Sequence, residues 1–457
     1  MNEDRLPWTI KAGWATGAFG VAVLMNGISA LILFYMTLVL KFDPAVAGFI
    51  IFISKIYDAV TDPFSGWLSD RTKSPKGRRR PYLFWGAIVS AAAFLMVFTV
   101  PFSGPWDSVT SGPGLMAASY VLLALLIYTT GYSMFNVPYM AMPAEMTTGY
   151  HERSSIHGYR VVIASIGGFL VQSGGGILLD KLGKNSSGFM VLGVIGAVAI
   201  FITMMIAYFA TAKAPSLPQT DAKISFRDQM AGFLNNKPFQ LVLGVKLAQL
   251  IGIASSSGGL VFLLATVLGK PLTLMAVIGG AMLIAVFTMT PLLIRLSKRI
   301  GKRGAYMVSA LVTGAVALSW IWATPAEPIW ALGLRGFATG IAFSGNVLFA
   351  MSMLTDAMEA DTHATGLRRE GMYSALYSFV EKLAAAIGPL ILGSALSYAG
   401  FNAASPPKIA DESVRQAVLL GIAYVPAAMA LVAVLLLSFY TLDEKKLSAM
   451  RAGSAAG

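Results

Sequence analysis

The stretch Lys55-Ile56-Tyr57-Asp58-Ala59-Val60-Thr61-Asp62-Pro63-Phe64-Ser65-Gly66-Trp67 decides how this chain is read. It lies in an apolar run near 45–69, long enough as a helix to cross roughly 30 Å of hydrocarbon. A lysine and two carboxylates in such a run are expensive unless paired, hydrated or functional. Their spacing puts Lys55, Asp58 and Asp62 on one helical stripe, so both carboxylates can face one small cavity. Two such acids can share a proton or bind Na⁺, for which hard oxygen ligands are suited. Pro63 withholds its own N–H and disturbs the carbonyl of Ala59, and backbone oxygens freed at a helix break are further cation ligands. The competing structural reading is a Lys55–Asp58 ion pair stapling helices, with Asp62 at a kink. It leaves unexplained why a second acid should stand one turn from a paired one.

Working outward, comparable runs recur near 12–40, 82–101, 114–140, 157–179, 187–212, 237–268, 272–294, 304–323, 328–355, 372–399 and 416–440. With 56% hydrophobic and 12% charged residues, 457 residues leave too little polar surface for a soluble globule. Backbone satisfaction in lipid then demands helices, because the runs lack the alternation of a β-barrel. Residues Asn2–Lys11 lack the basic run and cleavage site of a signal peptide, so the first span is expected to be a retained helix.

A net charge of +12 raises the question of nucleic acid, but the placement of the charges answers it. With the N-terminus cytoplasmic, twenty-three Lys and Arg fall in inner segments and six in outer ones. The positive-inside rule therefore places both termini in the cytoplasm, in keeping with an even helix count. No cysteine is present, so no disulfide contributes.

A polar connection divides the chain into a first six-helix bundle (1–212), a cytoplasmic linker (213–236) and a second bundle (237–457). Each half repeats one signal after its second span. Gly66-Trp67-Leu68-Ser69-Asp70-Arg71 leads to Gly77-Arg78-Arg79-Arg80, and Leu296-Ser297-Lys298-Arg299 leads to Gly301-Lys302-Arg303. Duplication explains the match, and two independent positive-inside loops are the plainer alternative.

Other ionisable residues sit within spans: Arg160 in the fifth, Glu381 and Lys382 in the eleventh, and Lys246 and Arg335 elsewhere. Lys382 is expected to face a cavity, since Glu381 lies about 100° around the helix and cannot share its face. Arg335 reads as snorkelling near an outer end. Lys246 stands too near the start of its span for the sequence to assign it.

At these residues the chain resembles the glycoside-pentoside-hexuronide:cation symporters, the melibiose-carrier-like branch of the major facilitators. The second-span stretch carries the likeness, and Gly17-Ala18-Phe19-Gly20, Asn136-Val137-Pro138-Tyr139, Met353-Leu354-Thr355-Asp356, Gly366-Leu367-Arg368-Arg369-Glu370-Gly371 and Lys382 follow in the family's order. The resemblance implies an all-α major facilitator fold of about twelve transmembrane helices in two pseudo-symmetric bundles. It implies Asp58 and Asp62 as the cation-site carboxylates, with Na⁺ or H⁺ as coupling ion, and Ser133 as a hydroxyl beside them. Asn136 is shared with the substrate side, where Arg160, Lys382, Tyr139 and Lys55 stand. Asp70, Arg71, Arg78, Arg79 and Arg80 would form a cytoplasmic gate. Sugar-carrying members place acids where Ala22 and Asn136 stand here, and aromatic platforms near Met140 and Val347. Tyr139 and Phe349 are the neighbouring rings.

The expected function is cation-coupled symport of a small solute, a glycoside or related sugar, in a bacterial cytoplasmic membrane. The partners are solute and lipid, with no nucleic acid, and the protein acts as a monomer whose bundles rock around a midplane cavity. The lysophospholipid-carrying animal branch of the family makes an amphiphile the alternative solute. A non-transporting receptor or scaffold is the remaining alternative. An enzyme is disfavoured, since His151, His157 and His363 fall at loops or span ends and no paired His or Cys motif offers metal ligands. No phosphate-cradling Gly-rich loop is present to power primary transport, and no cofactor is expected.

Overall fold

The computed structural model describes residues 6–102, 104, 106, 111–147, 150–215, 236–365, 370–402, 411–442 and 446–447. The Gly366–Arg369 stretch, most of the linker and the His151 side chain lie outside them.

The described residues form helices joined by short connections. The first half contains α1 (Trp8–Phe34), α2 (Pro44–Arg71), α3 (Arg80–Phe98), α4 (Gly112–Met146), α5 (Tyr150–Leu182) and α6 (Ser186–Ala210). The second half contains α7 (Lys237–Phe262) and then Leu274–Ser319, which runs through a non-helical Gly301 (φ 77°, ψ 162°). Divided at that glycine it gives α8 (274–300) and α9 (302–319). Helices α10 (Ile329–Thr365), α11 (Glu370–Tyr398) and α12 (Glu412–Ser438) follow, α12 interrupted by a π turn at Leu420–Tyr424. Eleven of the described helices are long and apolar enough to cross a membrane, and one of those is the undivided Leu274–Trp322. Counted with its kink, twelve crossings result.

The expected spans are met, but several helices overrun them. α4 continues to Met146 and α10 to Thr365 because hydrogen bonding along a backbone need not stop at the edge of the hydrocarbon. Chemistry sets the starts. Asp43 caps α2, its carboxylate accepting from the N–H groups of Ala45 (2.8 Å) and Val46 (3.4 Å), with Pro44 in the first turn. Asn185 and Asn236 cap α6 and α7 in the same way.

Contacts separate two units. Unit 1 comprises Met1–Thr220 with Lys270–Ala276 and Leu396–Lys408, and unit 2 comprises Asp221–Gly269, Val277–Ala395 and Ile409–Gly457. Within unit 1, Asp180 on α5 accepts from the Thr273 N–H (2.5 Å) and hydroxyl (2.7 Å), and Ser397 donates to Asp43 (2.8 Å). Its interior is aromatic, with Tyr35, Phe98 and Phe189 in mutual ring contact. The core of unit 2 gathers Phe239, Tyr306, Phe349 and Tyr373, with the Tyr306 hydroxyl donating to Gln249 at 2.7 Å.

Duplication is visible in backbone detail. The first helix of each half ends in a five-residue π turn, Tyr35–Val39 after α1 and Leu263–Val267 after α7. In each, Val-Leu then leads to a residue in the left-handed region, Lys41 (φ 62°) and Gly269 (φ 58°). The basic loops match as well. Arg79 pairs with Glu145 on α4 and Arg80 donates to the Tyr208 carbonyl at 3.2 Å, while Lys302 pairs with Asp356 on α10 at 2.6 Å and Arg303 donates to the Ser438 carbonyl at 2.7 Å. Four partners on corresponding helices are more than two unrelated positive loops would produce.

Large side chains such as Trp8, Trp85, Phe209, Trp322, Trp330 and Leu431 are exposed. Apolar exposure of this extent is what a lipid-facing surface presents, with Trp suited to the interface.

Candidate functional site

The sequence stripe on α2 is positioned against α4, and α4 is itself fixed by α3. A Cβ on Gly86 would sit 2.7 Å from the Phe135 backbone nitrogen, and one on Gly131 would sit 2.8 Å from that of Ser90. The two helices thus meet backbone to backbone at the turn that carries Ser133 and Asn136.

Asp58 is only 3% exposed and accepts a hydrogen bond from Ser133 Oγ at 3.2 Å. Thr61 Oγ1 lies 3.3 Å from Ser133 Oγ and donates to the Asp58 carbonyl at 3.1 Å. A carboxylate and two hydroxyls therefore lie in one connected set, an oxygen-rich donor group fit for a proton or a monovalent hard cation. Asp62, half-buried, follows one turn on along the same stripe, just before the exposed Pro63. One turn above, Tyr57 and Thr130 exchange a hydrogen bond at 3.0 Å, and Lys55 Nζ stands 5.7 Å from the Tyr128 ring centroid. No group of three His, Cys, Asp or Glu side chains able to hold a metal occurs among the described residues.

Asn136 donates to the Tyr132 hydroxyl at 3.1 Å, and its buried Oδ1 accepts nothing among the described residues. Arg160 on α5 lies within electrostatic range of Tyr139 and His157, and its buried Nε likewise has no acceptor among them. A guanidinium N–H in this setting is available to an anionic or hydroxyl-bearing solute.

Tyr139 takes a different place from the one expected. It is fully buried, its ring stacked on Trp14 (4.5 Å) and on Phe135 (5.3 Å), so both faces are occupied by protein. Phe349 is 2% exposed in the core of unit 2. Neither neighbouring ring substitutes for the aromatic platforms missing near Met140 and Val347. Ala22 is buried and faces Gly167 on α5, where an added Cβ would lie 3.2 Å from its own.

In unit 2, Lys382 on α11 is half-buried. Adjacent Glu381 pairs with Lys246 at 3.8 Å, and Lys246 also stands over the Tyr377 ring at 5.1 Å. This settles Lys246 as a paired interior cation. Arg335 does not snorkel: it pairs with Glu327 at 2.5 Å, donates to the Ser319 hydroxyl (3.0 Å) and carbonyl (2.9 Å), and lies over the Trp320 ring. A fork with every arm engaged is a structural clamp.

The basic loop of unit 1 converges on Glu145, an acid that sequence reasoning missed. Arg78 and Arg79 both donate to its carboxylate, Arg79 also reaches Asp70 at 2.9 Å and Ser69 at 3.2 Å, and Arg80 lies over the Tyr208 ring. Arg71 is outside this network and packs over Trp67 at 4.3 Å. The available signal was a lone acid just past the fourth span, after Pro143.

Known proteins resemble the chain over its whole length. The family described as MFS/sugar transport protein matches residues 13–444. An uncharacterized symporter of Bacillus subtilis, YnaJ, is 27% identical over 455 residues, covering 97% of this chain and 94% of that protein. The isoprimeverose transporter of Lactiplantibacillus pentosus is 24% identical over 418 residues, covering 88% and 83%. Among solved structures, a bacterial homologue of the human lysosomal transporter Spinster, in an inward-facing and unoccupied conformation, shares the fold at a TM-score of 0.64 and 15% identity, covering 98% of each chain. These relatives are transporters, and buried carboxylates in membrane-length helices suit carriage better than catalysis. With the match spanning residues 13–444, the chain belongs to the major facilitator sugar-transport family, in the glycoside-pentoside-hexuronide:cation branch that its second-helix stretch resembles.

Proposed function

We propose that the protein is a secondary active transporter that couples a cation gradient to symport of a small solute, a glycoside or related sugar, by alternating access. The observation that carries this reading is the buried Asp58 carboxylate on α2, held by Ser133 of α4 beside Thr61. A cation at Asp58 and Asp62 neutralises buried charge and draws α2 onto α4, and coupling follows if that arrangement binds solute more tightly. Arg160, Asn136 and Lys382 supply the solute's polar contacts. Asn136 lowers the negative charge beside the acids and so favours H⁺ over Na⁺. The Arg78–Arg80 cluster and Asp70 gate the cytoplasmic end. The distribution of Lys and Arg supports cytoplasmic termini, and the bacterial relatives support the inner membrane of a bacterium, with one chain as the working unit.

A sugar is supported by the family and by the isoprimeverose transporter. A second reading, an amphiphile such as a lysophospholipid, draws support from the packed-in Ala22, Tyr139 and Phe349, which leave few groups to grip a sugar ring. The deciding experiment measures uptake of labelled glycosides, pentosides, uronides and lysolipids into proteoliposomes, with Na⁺ and pH gradients imposed separately. No gradient-dependent uptake of any of them would refute coupled transport of these solutes, and uptake that follows Na⁺ at fixed pH would refute proton coupling.

A further inference from the structure

Unit 2 holds a cavity of about 650 Å³ at its basic end, walled by the turn around Gly301, by Met353 and Asp356 of α10, and by the chain after α12. Among the described residues three cations line it, Lys298, Lys302 and Arg303, against one carboxylate, Asp356, which Lys302 already engages at 2.6 Å. The positive charges among them thus exceed the negative one by two. Tyr440 also lines the cavity. It is 2% exposed, and its hydroxyl has no hydrogen-bond partner among the described residues. Burial first, and then the Asp356 carboxylate, push the Tyr440 phenol up, so it remains a donor at every physiological pH. A buried donor without an acceptor is costly and calls for one.

The internal repeat explains the excess charge. Leu68-Ser69-Asp70-Arg71 in the first half corresponds to Leu296-Ser297-Lys298-Arg299 in the second. Asp70 in the first copy supplies a carboxylate to Arg79 at 2.9 Å, whereas its counterpart Lys298 adds a cation instead. The acid that closes the first cluster is reversed in sign in the second, so its place is left to an anion from outside. Besides Ser297 and Thr441, the remaining side chains of the lining are apolar, with Ile300, Met307 and Leu447 beside Met353.

We propose that this cavity binds a phosphate group through Lys298, Arg303 and the Tyr440 hydroxyl, and that its apolar walls take the adjoining chain of an anionic phospholipid. Basic pockets at the ends of membrane helices hold such headgroups, and free phosphate is the other source of the same chemistry. The site is separate from Asp58 and Asp62 and does not depend on what solute is carried.

The test uses the full chain in a neutral detergent, with thermal unfolding followed during titration with phosphatidylglycerol, phosphatidylcholine, or inorganic phosphate against chloride at equal ionic strength. Phosphatidylglycerol should raise the midpoint while phosphatidylcholine does not, and K298A should weaken the apparent affinity about fivefold. Y440F should unfold no earlier than the parent without lipid, because it deletes an unpartnered buried hydroxyl, yet should also bind phosphatidylglycerol less tightly. A shift with inorganic phosphate that equals the lipid's identifies the soluble anion as the source, and a shift with the lipid alone identifies the headgroup. Identical titrations for parent, K298A and Y440F overturn the proposal. It also fails if phosphatidylglycerol binds only after D443N/E444Q removes the acids that follow Leu442 in sequence.

Discussion

Replacing Asp58 with Asn separates the charge of this site from its shape. The amide keeps an oxygen for the Ser133 hydroxyl, now 3.2 Å from Asp58 Oδ1, so only the charge assistance of that bond is lost, about 1 kcal/mol. The protein should therefore stay folded, with a small fall in midpoint. Transport should respond far more strongly. One elementary charge moved across 100 mV is worth about 2.3 kcal/mol, so symport of one cation per neutral solute can sustain roughly fifty-fold accumulation. With the cation site disabled, D58N should let solute equilibrate to a ratio near one while retaining exchange down its own gradient. The assay is steady-state accumulation in proteoliposomes under an imposed potential, using the solute that the uptake panel identifies. Accumulation by D58N equal to the parent's at the same membrane abundance would refute the role of Asp58.

Three further outcomes are expected. E145Q removes the one carboxylate that Arg78 and Arg79 share, and breaking a buried pair at this 5%-exposed acid should cost about 3 kcal/mol in detergent unfolding, with Asp70 still holding Arg79; a loss under about 0.5 kcal/mol would show the cluster to be dispensable. K382A should lose cation-driven accumulation and K382R should be poorly tolerated, because a planar guanidinium does not replace a compact ammonium in a confined site; normal accumulation by both would make Lys382 structural. K41G should raise the unfolding midpoint by relieving about 1 kcal/mol of left-handed strain at φ 62°, as glycine already does at position 269, and a lower midpoint would mean that the Lys41 side chain contributes more than the strain costs.

The sequence made the helices legible because lipid imposes one rule everywhere, and the α2 stripe legible because charge is conspicuous in an apolar run. Helix ends were less legible, since hydropathy reports hydrocarbon thickness while α4 and α10 continue past it. Glu145 and Asp356 stand on those extensions, and their partnerships depend on where a distant loop returns. Thr61 was overlooked because a hydroxyl carries no charge signal, although its spacing from Asp58 matches the stripe. Tyr139 was legible as an aromatic but not as a buried one: only the fold reveals that Trp14 and Phe135 cover its two faces. Arg335 could not be told from a snorkelling arginine until Glu327 came within reach.

The backbone contact of α3 with α4 at Gly86 and Gly131 has a mechanical consequence. Helices touching at main-chain distance, with no side chains to repack between them, behave as one plank, because close-packed surfaces transmit displacement instead of absorbing it. Ser133 rides on that plank. Across from it, α2 lacks a hydrogen-bond rung at Pro63 and can bend there, while α4 carries its own prolines, Pro138 and Pro143, in the turns after Ser133. If a cation binds as proposed, Asp58 and Ser133 would draw the bendable α2 toward the α3–α4 contact, and the motion would reach the turn beyond Trp67, where Asp70 meets Arg79.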